Sequence, residues 1–232
     1  MRLLIVVLVV CALYACTSSR GFDRGALRSE ISPQRTVTEE DIKRALEAKP
    51  QLPKPFKLAV YFAQPAKPNW YYRAEWTWTG EDKDRVVSSL SPLRANGVVS
   101  DVLVVPETAM DGTDNKAIRL AAARTGADAV LIVSGTADID RYNNALGPTY
   151  ILILTGFFVP GTVVEGLFMA NASMWDVRNQ FLYLGTEAEG VVHKTAPAFF
   201  IEEKHIIRNA KTDALDLLAK DVGSRLAQLA VK

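Results

Sequence analysis

Apolar and polar positions divide the chain of 232 residues into three unlike stretches. Residues 3–14 are an unbroken apolar run behind the single charge of Arg2, too short to cross a bilayer comfortably as a permanent helix. This is the pattern of an export leader. From 17 to about 37, Ser18, Ser19, Gly21, Gly25, Ser32 and Pro33 break any sustained apolar period, which predicts a tether. Thr38, with Asp41 three residues on, predicts an N-cap for a short helix that runs to about Lys49 and stops at Pro50. Pro53 and Pro55 then lead to a first strand at 56–63. The expected organisation is a leader over 1–15, a tether with one short helix over 16–55, and a folded domain over 56–232.

Within that domain the period alternates between two and three to four. Residues 70–78 put Trp70, Tyr72, Ala74, Trp76 and Trp78 on one face of a predicted strand and Tyr71, Arg73, Glu75 and Thr77 on the other. Thr79, with Asp82 at N3, predicts a helix that carries Val86, Val87, Leu90 and Leu93 to a stop at Asn96-Gly97. A strand follows at 100–106, then a helix at 114–125 with Ile118, Ala121 and Ala122 on one side, Gly126 as its C-cap, and a buried strand at 127–133. Further extended stretches are predicted at 149–154 and 163–177. The second of these turns at Arg178-Asn179-Gln180 and returns through 181–192 as an antiparallel hairpin. Leu215, Leu218, Val222, Leu226 and Leu229 mark a long C-terminal amphipathic helix laid across a sheet. The expected fold is α/β, a mixed β-sheet sandwich with packed helices.

Composition narrows the function. Apolar residues make up 49% of the chain, which argues for a packed core, and the net charge of +1 gives no basic face for nucleic acid. The two cysteines, Cys11 and Cys16, both fall at the leader, so the exported part has no pair to oxidise.

The leader ends in Leu13-Tyr14-Ala15-Cys16, which resembles the lipobox of bacterial lipoproteins. The resemblance implies diacylglycerol on the Cys16 sulfur, cleavage after Ala15 and acylation of the new amino terminus by chains such as palmitate, enough for stable anchoring. That covalent lipid is the sole cofactor expected. Thr17, in place of an aspartate after the cysteine, implies outer-membrane sorting with the domain facing the periplasm; the inner membrane stays open as the alternative.

The segment 117–133, reading AIRLAAARTGADAVLIV, resembles the A-x-x-x-G-A-D segment of envelope proteins related to the TolB amino-terminal domain, a group that includes CsgG-type and LpoB-type lipoproteins. Together with the lipobox, the A-V-Y-F strand and Met174-Trp175-Asp176-Val177 before a turn, it also resembles the rhombotarget lipoproteins, although their glycine-glycine tail does not occur after Leu226. The resemblance implies a noncatalytic protein that builds, scaffolds or regulates envelope machines through protein contacts, self-association included. Gly126 can reverse the chain and Asp128 can cap the turn before the strand.

Catalytic and metal motifs are not found. His193 and His205 lack flanking ligand spacing, no serine lies in G-x-S-x-G, and no glycine-rich phosphate loop precedes a helix. Asp138, Asp140 and Arg141 read as a turn-stabilising cluster at a strand end. The face of Trp70, Trp76 and Trp78 fits either core packing or stacking on a glycan such as peptidoglycan. The stretch 150–175 has Glu165 as its one charge and reads either as buried strands or as strands flanking an apolar loop, in which Phe157 and Phe158 would dock into the membrane or a neighbouring subunit. The leading expectation is a lipid-anchored scaffold, with a peptidoglycan-binding module or activator of a wall enzyme as alternative. An envelope enzyme is disfavoured, and so is a pore, because one hairpin is too few.

Overall fold

The computed structural model describes residues 18–31, 36–65 and 74–231, and the leader, Cys16 and Trp70 lie outside the described residues. The architecture is α/β, as the periodicity predicts. Five strands form one mixed sheet in the order β2-β1-β3-β4-β5: β1 Phe56–Phe62, β2 Val99–Val104, β3 Ala129–Asn143, β4 Thr162–Asp176 and β5 Leu182–Ala196. β1 pairs in parallel with β2 and β3, while β3, β4 and β5 run antiparallel in register from Ala129↔Asp176 to Asn143↔Thr162 and from Thr162↔Ala196 onward.

The helices α1 Arg24–Ile31, α2 Glu39–Glu47, α3 Gly80–Ser89, α4 Ser91–Ala95, α5 Asn115–Arg124 and α6 Glu203–Val231 surround this sheet. Both predicted capping boxes form: Thr38 with Asp41 opens α2, and Thr79 with Asp82 opens α3. Asp114 accepts the Ala117 N–H to open α5, and Gly97 and Gly126 take the positive φ that ends the helical segments before β2 and β3.

The core divides by face. Leu58, Val60, Leu131, Val133, Phe168 and Met174 meet Val86 of α3, its C-cap Leu90, and Leu215, Leu218 and Leu226 of α6 on one side. Each such buried side chain contributes about 1.5–3 kcal/mol of transfer free energy. α6 lies directly on β5 because Gly190 has no side chain: a Cβ there would stand 2.0 Å from the Ala210 carbonyl oxygen. On the opposite face Ala59, Tyr61 and Val130 pack against Ile118, Ala121 and Ala122 of α5.

The same face holds α1, where Leu27 packs with Leu167 and Met169. The predicted tether is therefore corrected: residues 18–31 are laid on the sheet. Its anchoring partners sit more than a hundred positions away in sequence, which is why local pattern does not show them.

Two further expectations change. Residues 74–79 are not a strand, because the Thr77 carbonyl is taken by the Lys211 ammonium at 2.8 Å and the Trp78 indole N–H donates to the Ala63 carbonyl at 2.7 Å, in place of a strand ladder. The stretch predicted to be extended at 149–154 instead forms 3-10 turns, Gly147–Ile151 and Ile153–Phe157, with the Thr149 and Thr155 hydroxyls donating to the carbonyls of Leu146 and Leu152 at 2.6 and 2.7 Å. Those turns form the connection of one long β3–β4 hairpin.

Candidate functional site: the two ends of the long hairpin

β3, β4 and β5 are each fifteen residues long, so the hairpin they form has two well-separated ends. The end at the start of β3 is built from charge. Asp128, in the G-A-D turn, accepts the Lys57 N–H at 2.9 Å and pairs with the Arg178 guanidinium of the β4–β5 turn. Asp176 is fully buried and accepts the Tyr183 hydroxyl at 2.7 Å and the Arg178 N–H at 2.8 Å. Burial first, and then the adjacent Asp176, push the Tyr183 phenol up to about 12. Burial lowers the pKa of the neighbouring Arg119, and Asp176 opposes that shift.

The other end has loop segments without charge, bordered by the Arg141–Glu203 ion pair, in which Arg141 also donates to the Ala198 carbonyl at 3.3 Å. Between Arg141 and Glu165, and again between Lys194 and Glu202, no Asp, Glu, Lys or Arg occurs. Tyr150 closes the loop: its hydroxyl donates to the Val159 carbonyl at 2.9 Å and accepts the Gly161 N–H at 2.7 Å, while the Asn144 amide donates to the Pro160 carbonyl at 2.9 Å. The side chains face outward. Leu152 is 66% exposed, Leu154 73% and Phe158 80%, and they are joined by Leu146, Phe157, Phe199 and Phe200. Phe157 stacks on Phe199 with ring centroids 4.4 Å apart and meets Phe200 edge-on at 6.4 Å. Phe199 and Phe200 escape a reading by period because they lie in a short 3-10 turn, Ala198–Phe200, and join the loop only in space.

Asp138 and Asp140 are not at a strand end. They lie inside β3, buried, and are covered by residues 19–21. Ser19 Oγ donates to Asp140 at 2.5 Å, Gly21 N–H to the same carboxylate at 3.0 Å, and Arg20 to Asp138 and the Ile139 carbonyl, each at 2.6 Å. Buried carboxylates need such partners, and this clamp supplies them.

Trp76 and Trp78 are half-buried against the core, with rings edge-on to each other at 4.8 Å and to Phe168 at 4.8 and 6.2 Å. Beside them Lys211 and Asp82 form a buried ion pair that sequence reading does not find, since one partner is the N3 residue of α3 and the other lies in α6. His193 pairs with Glu165 at 3.1 Å and His205 with Glu202 at 2.9 Å, both histidines exposed. Among the described residues no group of three or more His, Cys, Asp or Glu is placed to hold a metal ion, and no helix is long and apolar enough to cross a membrane. A cavity of about 480 Å³ between α1 and residues 74–77 is lined in part by Glu30, Glu75, Trp76 and Thr136. Glu30 accepts the Thr136 hydroxyl there at 3.0 Å.

The described residues thus define a mixed-sheet α/β domain with one charged end and one end whose loop segments carry no charge. No protein-family model matches the chain, and no curated protein matches it. Among solved structures it is similar to a minor lipoprotein from Acinetobacter baumannii, at 15% identity over 78% of this chain and 96% of that one, TM-score 0.39. It is also similar to lipoprotein GNA1162 from Neisseria meningitidis, at 15% identity over 74% and 99%, TM-score 0.33. A PelC dodecamer from Paraburkholderia phytofirmans gives 18% identity over 72% and 89%, TM-score 0.29.

Proposed function

We infer that this protein is a lipid-anchored lipoprotein of the bacterial envelope, attached through Cys16 and facing the periplasm from the outer membrane, and that it works noncatalytically as an assembly or scaffolding component. The lipobox-like Leu13-Tyr14-Ala15-Cys16 and the resemblance of 117–133 to the TolB amino-terminal group support this reading. The observation that carries it is the clamp on β3. Ser19 to Gly21 are bonded to Asp138, Ile139 and Asp140, and Ser19 is the third residue after Cys16. At no more than about 3.6 Å per residue, a lipid on Cys16 would hold the folded sheet within about 11 Å. A domain held that close works by position, presenting its remaining surface to partners in the periplasm. Trp76 and Trp78 are committed to core contacts, so the wall-binding alternative would rest on Trp70.

The test is Cys16→Ser in cells, combined with crosslinking of a tagged wild-type copy. The reading predicts that wild type fractionates with the outer membrane carrying a mass shift on Cys16, that Cys16→Ser is folded but released, and that defined envelope proteins or further copies are crosslinked. A Cys16→Ser protein that still pellets with the membrane, or a wild-type copy that crosslinks to no protein, would overturn it.

A further inference from the structure

The first described residues, 19–21, and the aromatic loop lie toward the same end of β3. Asp140, which holds Ser19 and Gly21, pairs with Glu165, and three residues further along the ladder Asn143 pairs with Thr162, where the loop begins. At about 3.3 Å per strand residue this is a separation of about 10 Å. The direction of the N-terminal segment agrees. From Ser19 at Asp140 it runs to Arg24 at Glu189, Arg28 at Glu187 and Glu30 at Thr136, that is, away from the loop and toward the middle of the sheet. Its N-terminal side, on which Cys16 lies in sequence, is therefore the side nearest the loop.

We propose that the exposed surface of Leu152, Leu154, Phe157, Phe158, Phe199 and Phe200 is a membrane-contact site, seated in the headgroup and acyl boundary of the same bilayer that carries the lipid on Cys16. The proposal rests on the lipoprotein reading above. Three observations select the bilayer as occupant. The chain between Cys16 and the clamp is too short to let the domain stand away from the membrane. The two segments that form the surface, 142–164 and 195–201, carry no charged side chain of their own; the bordering Arg141 is paired with Glu203 at 3.1 Å and donates to the Ala198 carbonyl at 3.3 Å, so this pair marks the edge of the surface at the headgroups. In 142–164 the backbone is tied by Tyr150, Asn144, Thr149 and Thr155, and in 195–201 the Phe200 N–H donates to the Pro197 carbonyl and the Ala198 carbonyl accepts from Arg141, so apolar side chains enter with these backbone groups already partnered. The hairpin then stands upright on the membrane, its charged end with Asp128, Asp176 and Arg178 pointing into the periplasm.

The experiment uses the full lipidated protein in vesicles of phosphatidylethanolamine and phosphatidylglycerol. With Cys16 blocked by lipid, Phe158→Cys and Ser100→Cys each offer one thiol for an environment-sensitive fluorophore. Both positions are exposed, and Ser100 sits at the far end of the sheet, near the Phe56↔Val99 pairing. The expected result is that lipids brominated near the headgroup quench the label at 158 to roughly half or less, in keeping with burial about 5–10 Å into the boundary, and leave the label at 100 unchanged. Equal, weak quenching at both positions overturns the proposal. So does a label at 158 that is shielded from lipid but transfers energy to labels on other molecules, which would assign the surface to a second copy. Mass measurement of Cys16 separates the two readings: an unlipidated cysteine removes the anchor itself, whereas a lipidated protein with an unquenched label at 158 removes the docking alone.

Discussion

The two ends of the β3–β4–β5 hairpin solve the same problem in opposite ways. At the start of β3, turns and strand ends are held by Asp128, Asp176, Arg178 and Tyr183, and the apolar side chains left open near them, Leu182 and Leu46 of α2, are isolated and not gathered into an aromatic cluster. At the loop end the backbone is held just as fully by Tyr150, Asn144 and threonine hydroxyls, yet the large apolar side chains are turned outward. The exposed aromatics therefore do not result from a failure to fold the loop. A surface ordered by its own hydrogen bonds and still apolar is a surface that awaits cover.

The largest effect is expected at Asp176. Asp176→Ala leaves the Tyr183 hydroxyl and the Arg178 N–H without their acceptor and Arg119 without its buried counter-charge, and should cost about 3 kcal/mol in urea unfolding. At the other end, Tyr150→Phe removes the hydroxyl shared by Val159 and Gly161 and should cost about 1–2 kcal/mol, with faster proteolysis confined to the loop. Alkaline pH should act through the charged end. The Tyr183 phenol stands at about 12 against an ordinary value of 10.0, so between these values the unfolded chain gives up a proton that the folded one keeps. That contribution is whole below the lower value and lost as pH rises toward the upper one, and Tyr183→Phe should flatten the decline. Tyr61, pushed up to about 12 by burial and then by Glu107, adds a decline of the same sign. Phe158→Ser should change stability by no more than about 0.5 kcal/mol, because the ring is 80% exposed, while weakening the attachment of the lipidated protein to vesicles. A large loss of stability from that change would show the aromatic end to be structural and dissolve the contrast.

The contrast also shows which parts of the molecule can be read from sequence. Thr38 with Asp41, Thr79 with Asp82, and Gly126 before β3 act over three or four residues, and all three appear where local rules put them. Alternating polar residues at 136, 138 and 140 look like a strand's solvated face giving way to a turn, whereas Asp138 and Asp140 lie inside β3 under a clamp that comes from Ser19 and Arg20. The tether reading failed for the same reason, since α1 owes its place to single contacts such as Leu27 on Leu167 and Met169. At the candidate site Phe157 and Phe158 stood out through the lack of charge around them. Their partners Phe199 and Phe200 did not, because a 3-10 turn of three residues has no period to detect. Residues 74–79 carry a strand's alternation but are captured by Lys211 and by the Ala63 carbonyl, a tertiary choice that overrides the local one.

Hydroxyl-radical footprinting compares the two ends in one measurement, with the lipidated protein on vesicles set against Cys16→Ser protein free in solution. Membrane seating of the loop predicts that Leu152, Leu154, Phe158, Phe199 and Phe200 lose most of their labelling on the membrane while Phe181 and Leu182, at the charged end, label alike in both states. Equal labelling of the aromatic end in both states, or equal protection of both ends, would contradict it.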